Sequence, residues 1–212
     1  SNGKRRILAE LAARFGKTLG SASISLENEI QLTVVTSYVK TVFTSFQTDI
    51  NSFEQFKHIV HINTADKDYQ SQIQKGLLEN KQIFVYVSLV NGTNRDKRMK
   101  FLCGLDVSRM VIVDEGDFGA HQEKQVTVLK ENIKDDDVLL IMTGTNSDRA
   151  SSSWEIDYMT SVTYFELLVS KRESNEIKSL GGEMISNPLN LKYFTKNLER
   201  DLLYPSIQGY QM

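Results

Sequence analysis

The sequence predicts a doubly wound α/β fold, a mostly parallel sheet with helices on both faces. Three observations predict it. Short apolar runs recur along the chain, and several, such as Leu32–Thr36 and Ile83–Ser88, are rich in Val and Ile with little apolar–polar alternation. Continuous runs of this kind suit strands buried on both faces, as parallel strands are. Between them lie polar stretches with apolar residues at helical spacing. The only prolines, Pro188 and Pro205, come late, so everything before them runs without the break that proline imposes on helices and central strands.

Taken in order, the first strand is expected over Ile7–Leu11, an apolar stretch that leads into Gly16-Lys17-Thr18, and a helix follows over Thr18–Glu29. Leu32–Thr36 is the second strand. The helix over Val39–Phe56 carries Val39, Val42, Phe43, Phe46, Ile50 and Phe53, spaced by three or four, which makes one apolar stripe that reads as core. His58–Ile62 is the third strand; its histidines have no evident metal-ligand partners and read as structural. A helix over Lys67–Glu79, the strand Ile83–Ser88 and a helix over Arg95–Leu102 come next. The strand Met110–Val113, a helix over Lys124–Asn132, and the strands Val138–Met142 and Val162–Leu168 complete the alternation. Asp135-Asp136-Asp137 reads as a solvated acidic turn. Beyond Leu168 the pattern weakens to a polar connection, a Gly181-Gly182 turn and a candidate helix over Leu189–Leu203.

In such sheets ligands sit beyond the carboxyl ends of the strands. The expected strand ends carry Gly16-Lys17-Thr18, Thr36-Ser37, Ser88, Asp114-Glu115 and Thr143-Gly144-Thr145. A structural core does not require small polar or acidic residues at five strand ends.

Composition narrows the classes. With 212 residues, 40% of them hydrophobic and 25% charged, the chain can bury one large core, with an extension. A net charge of −2 gives no bulk basic excess, so any nucleic-acid surface is local. One cysteine, Cys103, excludes an internal disulfide framework, fits a reducing cytoplasmic setting and reads as a small buried apolar residue. No apolar run nears the roughly 18 residues of a membrane span. The basic start followed by apolar residues is interrupted by Glu10 and is not read as a secretion signal.

Three motifs carry chemistry. A phosphate loop needs backbone amides at a helix start, a lysine that reaches the β and γ oxygens, and a hydroxyl for Mg²⁺. Lys17 and Thr18 supply the last two, after Arg14, Phe15 and Gly16, although the full pattern places glycine where Leu11 stands. The run Met110–Val113 delivers Asp114 to a strand end, where it can hold Mg²⁺, and the adjacent Glu115 can act as general base on a water. The strand ending in Thr143-Gly144-Thr145 makes a hydroxyl-bearing turn suited to sensing a γ-phosphate.

The ordered set Arg14-Phe15-Gly16-Lys17-Thr18, Thr36-Ser37-Tyr38, Asp114-Glu115-Gly116-Asp117 and Thr143-Gly144-Thr145-Asn146 resembles motifs I, Ia, II and III of superfamily-two helicases, in the flavour of phage- and restriction-type DEAD/DEAH-like ATPases. The resemblance spans residues 3–168 and implies a RecA-like ATP-binding lobe over 1–168. It implies that Arg14, Phe15, Gly16, Lys17 and Thr18 bind ATP, that Thr18 and Asp114 hold Mg²⁺, and that Lys17, Asp114 and Glu115 are catalytic. It also implies that Asp117, Thr143, Gly144 and Thr145 couple ATP state to movement. Thr36, Ser37, Tyr38 and Lys40 would contact one nucleic-acid strand, with DNA favoured over RNA. The basic stretch from Asn91 to Lys100 is a second candidate contact. Residues 169–212 are expected to lead toward a second RecA-like lobe that this chain lacks, so the chain alone is expected to hydrolyse ATP poorly. The competing expectations are a non-catalytic P-loop scaffold and a small-molecule kinase.

Overall fold

A strand whose every residue is apolar has no solvent face, so it needs cover on both sides. The computed structural model meets that need. It describes residues 5–11, 16–90, 92–114, 122–144 and 151–162, nearly all within one compact unit formed by 1–11 and 17–161. Seven strands form one sheet: β1 (Arg6–Leu11), β2 (Leu32–Ser37), β3 (Val60–Asn63), β4 (Ile83–Ser88), β5 (Arg109–Asp114), β6 (Val138–Thr143) and β7 (Tyr158–Val162). Their order across the sheet is β3-β4-β2-β5-β6-β1-β7. The pairs β3–β4, β4–β2, β2–β5, β5–β6 and β6–β1 are parallel. The helices are α1 (Lys17–Glu27), α2 (Thr41–Asn51), α3 (Tyr69–Leu78), α4 (Gly92–Gly104) and α5 (Gln122–Asn132).

The pleat deals the strand residues alternately to two cores. Leu32, Val34, Val85, Val111 and Ile141 pack with Ile73 of α3, Met99 and Leu102 of α4, and Leu129 of α5. Val35, Phe84, Tyr86, Ile112 and Leu140 pack with Ala22 of α1 and Phe43, Phe46 and Ile50 of α2. The side each helix takes follows from winding direction. The connections after β1 and β2 travel toward the β3 edge, whereas those after β3, β4 and β5 travel back. Right-handed crossovers therefore place α1 and α2 on one face and α3, α4 and α5 on the other.

The expected doubly wound fold is the one found, with local corrections. β3 starts at Val60 rather than His58, because a 3-10 turn over Glu54–Phe56 intervenes and the Ile59 amide bonds to the Phe56 carbonyl. α2 starts after Val39, so that valine leaves the apolar stripe and is exposed. α4 runs longer than expected, from Gly92 to Gly104. β7 lies at Tyr158–Val162 rather than from Val162 onward, since the Asp157 amide bonds to the Arg6 carbonyl and starts the edge strand beside β1. The expected continuation to Leu168 and the helix over Leu189–Leu203 lie outside the described residues. Among the described residues no helix is long and apolar enough to cross a membrane.

Asp137 corrects the reading of the acidic turn. It is buried rather than solvated, and its carboxylate accepts from Arg109 at 2.7 Å and from the Lys134 amide at 2.8 Å. Arg109 also donates to the Leu102 and Leu105 carbonyls, joining the end of α4 to the starts of β5 and β6. Asp135, by contrast, is exposed and pairs with Arg6. Cys103 lies beside this cluster; burial pushes its thiol up to about 11, so it stays protonated and inert.

His58 bonds to Gln82 at the surface. His61 shares a 2.8 Å hydrogen bond with the Tyr86 hydroxyl, and the two rings stack. Burial raises the Tyr86 hydroxyl, which therefore keeps its proton and can either donate to or accept from His61 Nδ1. Burial also holds His61 below the usual histidine range.

Two predictions follow from these groups. Removing one partner of a buried ion pair costs about 3–5 kcal/mol because the other charge stays buried; Asp137→Ala is expected to lose stability on that scale in urea unfolding, far more than Asp135→Ala. Because His61 folds best when neutral, its contribution is intact above about pH 6.5 and is lost as pH falls toward its depressed folded value. Urea midpoints measured between pH 7.5 and 5 are expected to drop more steeply in the parent chain than in His61→Gln.

Candidate functional site

The site begins where the two winding directions meet. β1 sends its chain one way and its neighbour β6 sends it the other, and ligands of such sheets sit beyond the carboxyl ends of the strands at a point of this kind. Gly16 has φ 85, a left-handed conformation that glycine adopts without strain. Lys17 opens α1 directly after it. The first amides of a helix have no intrahelical partners and carry a partial positive charge. No acidic residue offsets that charge in the first turn of α1. Thr18 lies in the same turn, half-buried, with its carbonyl accepting from Ser21 Oγ at 2.8 Å.

The Lys17 side chain reaches the end of β6. A Cβ built on Gly144 would lie 3.4 Å from Lys17 Nζ and 3.9 Å from the Leu11 carbonyl oxygen. The register explains the meeting: Glu10 pairs with Thr143, which brings Leu11 level with Gly144. On the other side of β6, Asp114 pairs with Met142. Two residues along β6 and one strand across, the Cα atoms of Gly144 and Asp114 lie roughly 8 Å apart at standard strand spacings. Asp114 is only 6% exposed, and alternation turns it toward the face that α1 covers. Thr143 is fully buried at the end of β6. Lys17, Thr18, Asp114, Thr143 and Gly144 therefore share the carboxyl edge of three neighbouring strands. Arg14, Phe15, Glu115, Asp117 and Thr145 lie outside the described residues.

A second edge feature lies at β2 and β4. Thr36 and Ser37 are fully buried. Thr36 Oγ1 donates to the Ile112 carbonyl at 2.8 Å, and Ser37 Oγ accepts from the Val39 amide at 3.1 Å. Their hydroxyls shape the turn and do not face solvent. What this turn exposes is Val39 and Lys40, with Tyr38 half-buried. Burial raises the Tyr38 hydroxyl and the nearby Arg95 charge partly offsets the rise. Within the basic stretch, Lys97 and Lys100 are exposed, whereas Arg95 is buried and bonded to Asp96 at 2.6 Å. Among the described residues no group of three or more His, Cys, Asp or Glu side chains gathers to hold a metal.

Some features of this edge carry no local signature in the sequence. The contact of Lys17 with Gly144 depends on β1 lying beside β6. Ser-x-Val recurs at the ends of β2 and β4, where Ser88 Oγ accepts from the Val90 amide at 3.5 Å as Ser37 does from Val39. That repeat is visible in the sequence once both runs are placed as neighbouring strands.

No protein-family model matches this sequence, and no curated protein does. Solved structures with a similar chain path include the Hef helicase domain of Pyrococcus furiosus, at 13% identity and TM-score 0.49, covering 98% of this chain and 52% of that one. Another is the C-terminal domain of S. cerevisiae Dbp5 L327V bound to Gle1 H337R and IP6, at 10% identity and TM-score 0.48, covering 82% and 99%. HypB from Helicobacter pylori, in complex with nickel, follows at 12% identity and TM-score 0.25, covering 75% and 94%. This chain spans about half the length of the Hef domain.

The burial pattern at β2 separates two kinds of residue by experiment. Ser37→Ala leaves the Val39 amide without its acceptor and is expected to cost about 1 kcal/mol in urea unfolding. Lys40→Ala, on the exposed surface, is expected to stay within about 0.5 kcal/mol.

Proposed function

We propose that this chain is the ATP-binding, RecA-like lobe of a nucleic-acid-dependent ATPase of the helicase or translocase kind. The observation that carries the reading is the Lys17 ammonium seated over Gly144 at the carboxyl ends of β1 and β6, one strand from the buried Asp114. A cation, an uncompensated helix start and a carboxylate on one edge suit a triphosphate with its divalent ion better than a neutral ligand.

The residues present fit MgATP. The small residue at 144 leaves room beside the ammonium, and the α1 amides add positive charge with no acid in the helix's first turn. Lys17 would bind the terminal phosphate oxygens. Thr18 and Asp114 would hold Mg²⁺, which when bound offsets phosphate charge during transfer. Glu115 would take the proton of the attacking water. Thr143, Gly144, Thr145 and Asp117 would couple the state of that pocket to movement.

For the nucleic-acid track, the buried hydroxyls of Thr36 and Ser37 leave Tyr38, Lys40 and the exposed Lys97 and Lys100 as the contacting groups. Phosphate contacts of this kind position a strand without reading its sequence. A second RecA-like lobe, in the same full-length protein or in a partner, would complete the catalytic pocket.

The decisive measurement is titration of the chain with a fluorescent ATP analogue (mant-ATP) and Mg²⁺. Lys17→Ala is expected to weaken binding by about tenfold or more, equivalent to about 1.4 kcal/mol, while leaving the unfolding midpoint in place. Unchanged affinity in Lys17→Ala would overturn the reading. With a second lobe supplied, turnover is expected to rise on adding single-stranded nucleic acid and to fall when Lys40, Lys97 and Lys100 are replaced by alanine.

A further inference from the structure

We infer that Gly144 is a positioning residue: a residue no larger than alanine at the end of β6 leaves the Lys17 ammonium room to lie beside it. The inference rests on the nucleotide-binding reading of the same edge and goes beyond it, because it assigns Gly144 a steric task toward one named atom.

The backbone does not require glycine there. Among the described glycines only Gly16 has a positive φ, so Gly144 holds a conformation open to other residues. Space is the remaining reason, and the glycines differ in what surrounds them. A Cβ on Gly20 or Gly104 would meet nothing within 4 Å. A Cβ on Gly76 would meet the Ile83 side chain at 2.8 Å, which is helix packed on strand. Gly144 is different in kind, since the first neighbour of its Cβ would be a charged group, Lys17 Nζ at 3.4 Å.

That distance also predicts graded effects. A single methyl at 3.4 Å makes ordinary contact, so alanine fits. The two methyls of valine extend past Cβ into the ammonium's volume. The backbone on the other side is fixed, with the Leu11 carbonyl 3.9 Å away in a paired parallel strand. The long lysine side chain is the softer partner and swings out. The fold then survives while the cation leaves the edge it shares with Asp114.

The test uses the full chain carrying Gly144→Ala, Gly144→Val, Gly144→Ser and Lys17→Ala, with Gly144→Val also placed on the Lys17→Ala background. Titration with mant-ATP and Mg²⁺ is expected to show Gly144→Val weaker by about tenfold, Gly144→Ala by less than about threefold, and no further loss from Gly144→Val once Lys17 is alanine, since residues that act through one another are not additive. A second readout needs no nucleotide. Acetylation of Lys17 by acetic anhydride, followed by peptide mass spectrometry with Lys97 as internal standard, is expected to be faster in Gly144→Val and unchanged in Gly144→Ala.

Full additivity of Gly144→Val with Lys17→Ala, or equal Lys17 acetylation in all Gly144 variants, overturns the assignment. Failure of the parent chain to bind mant-ATP overturns the nucleotide reading instead, and acetylation still decides the role of Gly144. Should Gly144→Val not fold, Gly144→Ser carries both measurements with a single added hydroxyl.

Discussion

Right-handed crossover is the constraint from which the rest of this molecule follows. A parallel strand pair is joined by a helix that packs on one predictable side. When β1 and β2 wind toward one edge and β3, β4 and β5 wind back, helices must cover both faces. Only strands apolar throughout survive between two helical layers, which is why Val34 and Val35, or Ile112 and Val113, are neighbours in sequence and buried on opposite sides. α1 packs over both β1 and β6, and because it begins at their carboxyl ends its first residue, Lys17, reaches the end of β6.

The two edges of the sheet are built to opposite ends. At the amino edge, charges are spent on closure. Arg109 and Asp137 form a buried pair with carbonyl and amide partners, and the Asp157 carboxylate accepts from the backbone amides of both Arg5 and Arg6. At the carboxyl edge stand Gly144 and several buried hydroxyls, and the first turn of α1 contains no acid.

That division also decides what is legible in the sequence. β2, β4, β5 and β6 are readable because unbroken apolar runs have few other uses, and their polar terminators mark the carboxyl edge. Asp114 and Thr143 fall at strand ends as expected because each directly follows such a run. β3 is harder. His58 and Ile59 extend the apolar-looking run, yet Phe56 turns the chain and the ladder starts only at Val60. Asp137 is misread as solvated because its partner Arg109 stands 28 residues away, and nothing local distinguishes a buried aspartate from its exposed neighbours Asp135 and Asp136. Thr36 and Ser37 show burial that the sequence does not signal. Their hydroxyls suit a phosphate contact, but burial commits them to the Ile112 carbonyl and the Val39 amide. Local spacing reports which residue types stand at an edge; burial reports which of them still face outward.

Leu11 brings these points together. The phosphate-loop pattern wants glycine there, because backbone must come close at the loop's entry. In this chain Leu11 is the last residue of β1, and its side chain packs against the core shared with α1 and α2 rather than over the edge. Leucine at the strand's end therefore directs its bulk into the core, and the pairing of Glu10 with Thr143 sets its carbonyl beside Gly144, where a Cβ would make ordinary contact with it at 3.9 Å. The small residue beside Lys17 is thus supplied by β6 rather than by β1.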